Sequence, residues 1–327
     1  MSFRNAFDEL ATETNLKALV ESLSERLRFY ERIPVETKPL HIPEYRSEKG
    51  AAVAVALLSD VHCEERVDAI DVPGTHNVYN PDVCKRRIAQ YAQRVVLLIQ
   101  AQRHLTKIDT LVLAILGDII TGFLHDDNKE SNYLSPTQAV LFALELLTGV
   151  IEHLLEHGEF KKLVLVACCG NHGRTTVKPR AKTAITMNLE WMMYQLLQSK
   201  FEGDSRIEWH IADGAHVYLD INGKVCRFFH GDDVNYQGGV GGLSIPLLKA
   251  TAQWDRIKYA DLNFLGHFHS CRSFGSCIVN GSVMGYNAYA LKAKCPFEPP
   301  KQAFTLIDSQ RGLSLFADVW TDWMPSR

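Results

Sequence analysis

Five short apolar runs, each emptying into an aspartate, asparagine or histidine, constrain the fold more than any other feature of this sequence. Residues 110–122, TLVLAILGDIITG, set the pattern: six apolar residues stop at Gly117, and Asp118 follows. A run that short and that rich in Leu, Val and Ile reads as a buried parallel strand. In open α/β sheets, ligands sit outside the carboxyl ends of such strands. Residues 53–58 run into Ser59-Asp60-Val61-His62, and residues 163–167 run on to Gly170-Asn171-His172. Residues 225–229 deliver His230, and residues 262–265 deliver Gly266-His267-Phe268-His269. Five strand ends carrying these groups point to one polynuclear metal site.

The rest of the chain fits a layered sheet protein. From Ala51 the order is strand, loop, helix, repeated, with helices expected over residues 82–104, 136–156 and 181–200. Beyond Arg206, short alternating runs at 206–212, 215–221 and 225–230 read as antiparallel strands, and Asn222-Gly223 is a hairpin signal. Further strands are expected near 261–265, 277–280, 303–308 and 313–319. The sum is a two-sheet α/β sandwich. Ahead of it, Leu16, Leu19, Val20, Leu23, Leu27 and Tyr30 stand at helical spacing within residues 7–30, and Pro34, Pro39 and Pro43 punctuate a linker. Packing on the parent domain is the favoured reading of that helix, with self-association as the alternative, because fewer than three clean heptads are present.

Composition narrows the class. A chain of 327 residues, 46% hydrophobic and 22% charged, is long enough for one large domain with a short appendage. No apolar run reaches the roughly 20 residues of a membrane helix, and the start, MSFRNAFDEL, does not look secretory, so a cytoplasmic protein without a membrane partner is expected. Eight cysteines without a CxxC pair argue against a disulfide framework or zinc knuckle. A net charge of −3 argues against a surface broadly adapted to nucleic acid, while leaving room for a local basic groove.

Two divalent ions held close together need hard or borderline ligands, a bridging carboxylate, and enough negative charge to offset part of about +4. Asp60 and Asp118 supply the charge; His62, Asn171, His230, His267 and His269 are neutral ligands that leave a residual positive charge to attract phosphate. The ordered set Asp60-x-His62, Gly117-Asp118, Gly170-Asn171-His172, His230 and Gly266-His267-x-His269 resembles the calcineurin-like metallophosphoesterase superfamily over about residues 50–285, most closely its stand-alone, nuclease-like bacterial and phage members. The resemblance implies an α/β fold, a four-layer α/β/β/α sandwich of two mixed sheets over residues 50–327, with residues 1–49 as a helical appendage and linker. It also implies one metal on Asp60, His62, Asp118 and His269, and another on Asp118, Asn171, His230 and His267, with Asp118 bridging. Manganese is the first choice, with iron, zinc, nickel and cobalt also suited to such ligands.

The implied chemistry is in-line attack on phosphorus by a metal-bridging hydroxide, with His172 protonating or stabilising the leaving oxygen. Two positions depart from the family pattern: Gly173 stands where an acid commonly follows Asn-His, and Thr121 where some branches carry an Asp that orients the histidine. The orienting group for His172 is therefore open. Arg174 and Lys178, with Arg180 and Lys182, form a basic run after His172 that reads either as a substrate-binding rim or as a solvated loop. The rim favours a phosphodiester, DNA first, over a nucleotide or cyclic nucleotide, or a phosphomonoester; a scaffold on a retired enzyme fold is the reading from another class. Gly238-Gly239-Val240-Gly241-Gly242 reads as a mobile flap or a plain turn, and the other eight histidines as surface or core groups.

Overall fold

A computed structural model of the chain describes residues 13–31, 51–124, 126–236 and 241–322. The linker prolines, His125 and residues 238–240 of the glycine-rich stretch lie outside the described residues. Two units are distinguished, residues 1–46 and 47–327. In the first, helix α1 (Glu13–Glu31) covers the described part of the expected 7–30 span, residues 7–12 lying outside the described residues, and Leu16, Leu19, Val20, Leu23 and Leu27 along it are all exposed.

In the second unit, β1 (Ala51–Leu58), β2 (Lys107–Ile115), β3 (Lys162–Ala167) and β4 (Ile207–Ile211) run parallel. Strands β5 (Val217–Ile221), β6 (Lys224–Phe228), β7 (Leu262–Leu265), β8 (Arg272–Ser273) and β9 (Cys277–Val279) form a second sheet in the order β5-β6-β7-β9-β8. The chain then returns to the first sheet through β10 (Lys301–Asp308) and β11 (Gly312–Trp320), giving the order β11-β10-β1-β2-β3-β4. Both sheets are mixed, because β10 is antiparallel to β1 and β8 to β9. The 206–212 run is a correction: β4 pairs with β3 in parallel at the edge of the first sheet. Its residues are all partly exposed, so its alternation reflects an edge position rather than a hairpin. The β5–β6 hairpin turns at Asn222 and Gly223, both at positive φ (54° and 76°), the conformation this dipeptide favours.

Three helices cover one face of the first sheet: α2 (Pro81–Gln102), α4 (Pro136–His157) and α5 (Leu189–Lys200). Two others, α3 (Asp126–Ser131) and α7 (Ala288–Ala293), are short, and α6 (Ser244–Trp254) covers the outer face of the second sheet. Caps fix where the long helices begin. Asn80 accepts from Val83 N ahead of Pro81 at 2.9 Å, Gln138 reaches back to the Ser135 N–H at 3.0 Å, and Asn188 accepts from Glu190 N at 2.9 Å. The last cap corrects the third predicted helix, which starts at Leu189 and not at 181.

The strand runs are continuously apolar because both faces are covered. Along β1, Ala54, Ala56 and Leu58 face the helices, while Val55 and Leu57 meet Phe228, Phe264 and Ile278 between the sheets. Each fully buried Leu or Phe there contributes about 1.5–3 kcal/mol. Phe229, Leu265 and Val279 face the third core with Leu247 and Trp254 of α6. The layers are thus helix, sheet, sheet, helix. By length and composition α4 could cross a membrane, yet half of that window is buried, with Ala139, Ala143, Leu147, Ile151 and Leu154 in the core.

This pairing also sets the level at which the loops leave. Leu58, Ile115 and Ala167 are in register across β1, β2 and β3, and Phe228 pairs with Phe264 across β6 and β7. The five motif loops therefore emerge along one rim.

Candidate metal centre

The rim loops are stitched to one another before any side chain is considered. Asp60 N donates to Gly117 O (3.0 Å), Val61 N and His62 N both donate to Asp118 O, and Gly266 N donates to His230 O (2.8 Å). The two sheets are tied where His267 N reaches the Asp60 carboxylate at 3.0 and 3.1 Å. Close approach is possible because Gly266 and Gly170 lack side chains. A Cβ on Gly266 would stand 2.6 Å from Asp60 Oδ2, and one on Gly170 would stand 2.1 Å from Asp118 Oδ1.

Backbone strain gathers at the same place. Nine described non-glycine residues have positive φ, and five of them are Asp60, His62, Asp118, His267 and His269. Such conformations cost of order 1–3 kcal/mol each and persist where the surroundings over-determine them, which is common at functional sites.

Two clusters result, Asp60 with His62 and His269, and Asp118 with His230 and His267, each with ligand atoms within 4.8 Å of one another. His269 Nε2 is 3.3 Å from Asp60 Oδ1 and 3.4 Å from His62 Nε2. His230 Nε2 is 3.0 Å from Asp118 Oδ2, 3.2 Å from His267 Nδ1 and 3.1 Å from Asn171 Oδ1. All seven residues singled out as ligands in the sequence thus lie in these two clusters or directly against one.

These groups fit a pair of cations. In each cluster two imidazole nitrogens face each other beside a carboxylate, and only a proton or a metal ion between them relieves the lone-pair repulsion. His230 Nδ1 donates to Leu116 O at 2.7 Å, which fixes the tautomer and turns the Nε2 lone pair inward. Buried His62 Nδ1 has no hydrogen-bond partner and lies 4.0 Å from Glu65 Oε2.

Electrostatics point the same way. Burial opposes charge on His230, but Asp118 outweighs it and raises the imidazole well above its usual range, while burial and His230 push His267 down to about 4. Burial likewise opposes charge on His269, which Asp60 nevertheless raises, whereas burial and neighbouring His172 take His62 well below its usual range. Burial would raise Asp118, yet the imidazoles of His230 and His172 hold its carboxyl well below the ordinary range. In each cluster one imidazole is thus pushed toward its charged form beside a carboxylate and another away from it, an asymmetry expected where a cation would sit.

His172 stands beside the clusters. Its backbone N–H donates to Asp118 Oδ1 at 2.9 Å, and its ring packs edge-on to His62 with centroids 4.8 Å apart. The backbone carbonyl of Thr121 accepts from His172 Nδ1 at 2.9 Å and fixes the tautomer and the orientation of the ring. The Arg174 guanidinium caps Asn171 O at 2.5 Å, and Lys178 is exposed on the turns that follow.

The sequence reading missed the supports under these ligands. Gln302 and Asn280, both fully buried, lead through Ser59 Oγ to Asp60 Oδ2 in a chain of bonds between 2.5 and 2.8 Å. Glu64 accepts from Thr121 N and Gly122 N at 2.8–2.9 Å. Glu190 accepts from Ile119 N (2.6 Å) and Gly170 N (2.7 Å), and burial with Asp118 nearby pushes its carboxyl up to about 7. Glu64 lies two residues past the first motif, while Glu190 falls in the middle of the helix expected over 181–200 and reads there as an ordinary helix acid.

No family model and no curated protein matches the chain. Among solved structures, similarity is found to a hypothetical protein from Pyrococcus horikoshii OT3 (12% identity, 83% of this chain and 89% of that one, TM-score 0.37). It is found also to a conserved predicted phosphoesterase from Streptococcus pneumoniae (9% identity, 82% and 97%, TM-score 0.29) and to a putative 5′-nucleotidase from Staphylococcus aureus (12% identity, 83% and 55%, TM-score 0.32). With these scores below 0.5, what this chain does rests on its own side chains rather than on those likenesses.

Proposed function

We propose that the chain is a two-metal phosphoesterase of the calcineurin-like metallophosphoesterase superfamily. The observation that carries this reading is the meeting of the Asp60-His62-His269 and Asp118-His230-His267 clusters on one rim, from motifs spread over more than two hundred positions. Asp60, His62 and His269 would hold one divalent ion, and His230, His267 and Asn171 the other, with Asp118 shared. When bound, the ions supply Lewis-acid charge for the phosphoryl oxygens and an activated water as nucleophile. Manganese is the first ion to test, and iron, zinc, nickel and cobalt suit the same donors.

The chain's own residues do the rest. His172, held through Nδ1 by Thr121 O, gives a proton through Nε2 to the leaving oxygen. Arg174 and Lys178, which follow His172 in the chain with Arg180 and Lys182, would offer positive charge to an extended polyanion, which favours a phosphodiester, DNA first, over a nucleotide or a simple monoester. The test is a panel with Mn²⁺: single-stranded and duplex DNA, RNA, cyclic nucleotides, and a chromogenic monoester and diester, each repeated with Asp118→Ala and His172→Ala. Metal-dependent cleavage abolished by the first variant, and reduced with metal retained by the second, supports the reading. Absence of metal binding together with absence of cleavage supports a scaffold instead.

A further inference from the structure

Glu190 has no part in either ligand cluster, yet it is completely buried beside them. It sits in the first turn of α5, after the Asn188 cap, and its two oxygens serve different loops. Oε1 accepts from Ile119 N at 2.6 Å and Ile120 N at 3.3 Å; Oε2 accepts from Gly170 N at 2.7 Å. The first two amides follow Asp118, and the third precedes Asn171 and His172. One carboxylate thus clamps the turn after β2 to the turn after β3. No other described side chain makes hydrogen bonds to both the 119–120 and the 170 amides.

The space it fills belongs to another position. A Cβ on Gly173 would stand 2.8 Å from Glu190 Cγ and 2.4 Å from Asn188 Oδ1. The backbone of Gly173 is not in the left-handed region, so nothing but this crowding demands glycine there. The Asn188 cap and the stem of Glu190 together occupy the place where a side chain at 173 would start.

We propose that Glu190 is a positioning residue that fixes Asp118 against Asn171 and His172. This rests on the two-metal reading, because its effect is exerted on metal ligands. The amides of Ile119, Ile120 and Gly170 form an anion-binding concavity, and a glutamine in place of Glu190 would turn an NH₂ donor toward one of these donors.

The test measures Mn²⁺ binding by titration calorimetry and unfolding by circular dichroism, for wild type, Glu190→Gln, Gly173→Ala and the double variant. Supporting groups of metal ligands are typically worth 10–100-fold in affinity. Glu190→Gln is expected to stay folded at 25 °C and lose affinity in that range. Gly173→Ala, whose Cβ would crowd Glu190 Cγ at 2.8 Å and the Asn188 cap at 2.4 Å, is expected to lose at least a similar factor, and the double variant little more than Gly173→Ala alone. If Glu190→Gln does not fold, Glu190→Asp, which keeps the carboxylate but shortens its reach to the three amides, is measured in its place and is expected to lose Mn²⁺ affinity in the same range. Lower melting temperatures with wild-type Mn²⁺ affinity, or losses that multiply in the double variant, overturn the proposal while leaving two-metal binding intact. A wild-type protein that binds no Mn²⁺ overturns both.

Discussion

Gly170→Ala tests the geometry of the rim with one methyl group. Gly170 precedes Asn171, and its backbone is one an alanine can adopt, so the penalty is steric. The added Cβ would stand 2.1 Å from Asp118 Oδ1 and 2.2 Å from Asp118 N, more than 1 Å inside the 3.4 Å at which contacts become ordinary. A backbone nitrogen cannot swing away as a side-chain tip can, so the two loops must separate by about 1 Å. Overpacking of this kind costs about 1–3 kcal/mol. At roughly 2–4 °C per kcal/mol for a domain of this size, the melting temperature should fall by about 2–12 °C. Misplacing Asp118 by about 1 Å should also lower metal-dependent turnover about 10²-fold. The assay is a thermal melt with and without Mn²⁺, beside Gly214→Ala, whose Cβ would meet nothing within 4 Å. If Gly170→Ala melts and binds Mn²⁺ like Gly214→Ala, the close approach of the two loops is refuted.

Three further outcomes follow from other parts of the structure. Thr121 holds His172 through its carbonyl while its buried Oγ1 has no partner, so Thr121→Val should raise stability by about 1 kcal/mol and leave the pH profile of hydrolysis in place; a tenfold loss of turnover would show that the side chain matters. His216 packs edge-on against Phe229 and Trp254, where burial and then Arg227 depress its pKa to about 4. Because the folded value lies below the unfolded 6.5, its contribution is present above pH 6.5 and lost as pH falls through 4; melts at pH 7 and 4.5 should show a smaller acid loss in His216→Phe than in wild type. Gly149 lies inside α4 with open space around its missing Cβ, so Gly149→Ala should stabilise by about 0.5–1 kcal/mol, read as a higher midpoint in urea.

The strand ends that carry the two clusters were legible because burial on both faces forces an apolar run, and such runs are short enough to show where they stop. Asp60, Asp118, Asn171 and His267 follow β1, β2, β3 and β7 for that reason. The pairing of β4 was not legible, since a half-exposed edge strand alternates in the same way as a hairpin strand. The start of α5 was misplaced because residues 181–188 keep a helix-like mixture of side chains, and only the Asn188 side chain, seen accepting from Glu190 N, marks the boundary. Glu64, Glu190, Asn280 and Gln302 were invisible as supports because a polar residue in sequence reads as solvated until its burial is known. The role of Thr121 was hidden more completely, because a backbone carbonyl carries no residue identity.

A crystal soaked in Mn²⁺, with anomalous diffraction collected near the manganese edge, tests the central claim most directly. Two peaks a few ångströms apart are predicted, one among Asp60, His62 and His269 and the other among Asp118, His230 and His267. A map without peaks there, from crystals whose Mn²⁺ concentration saturates binding in solution, would contradict the two-metal site and the hydrolysis built on it.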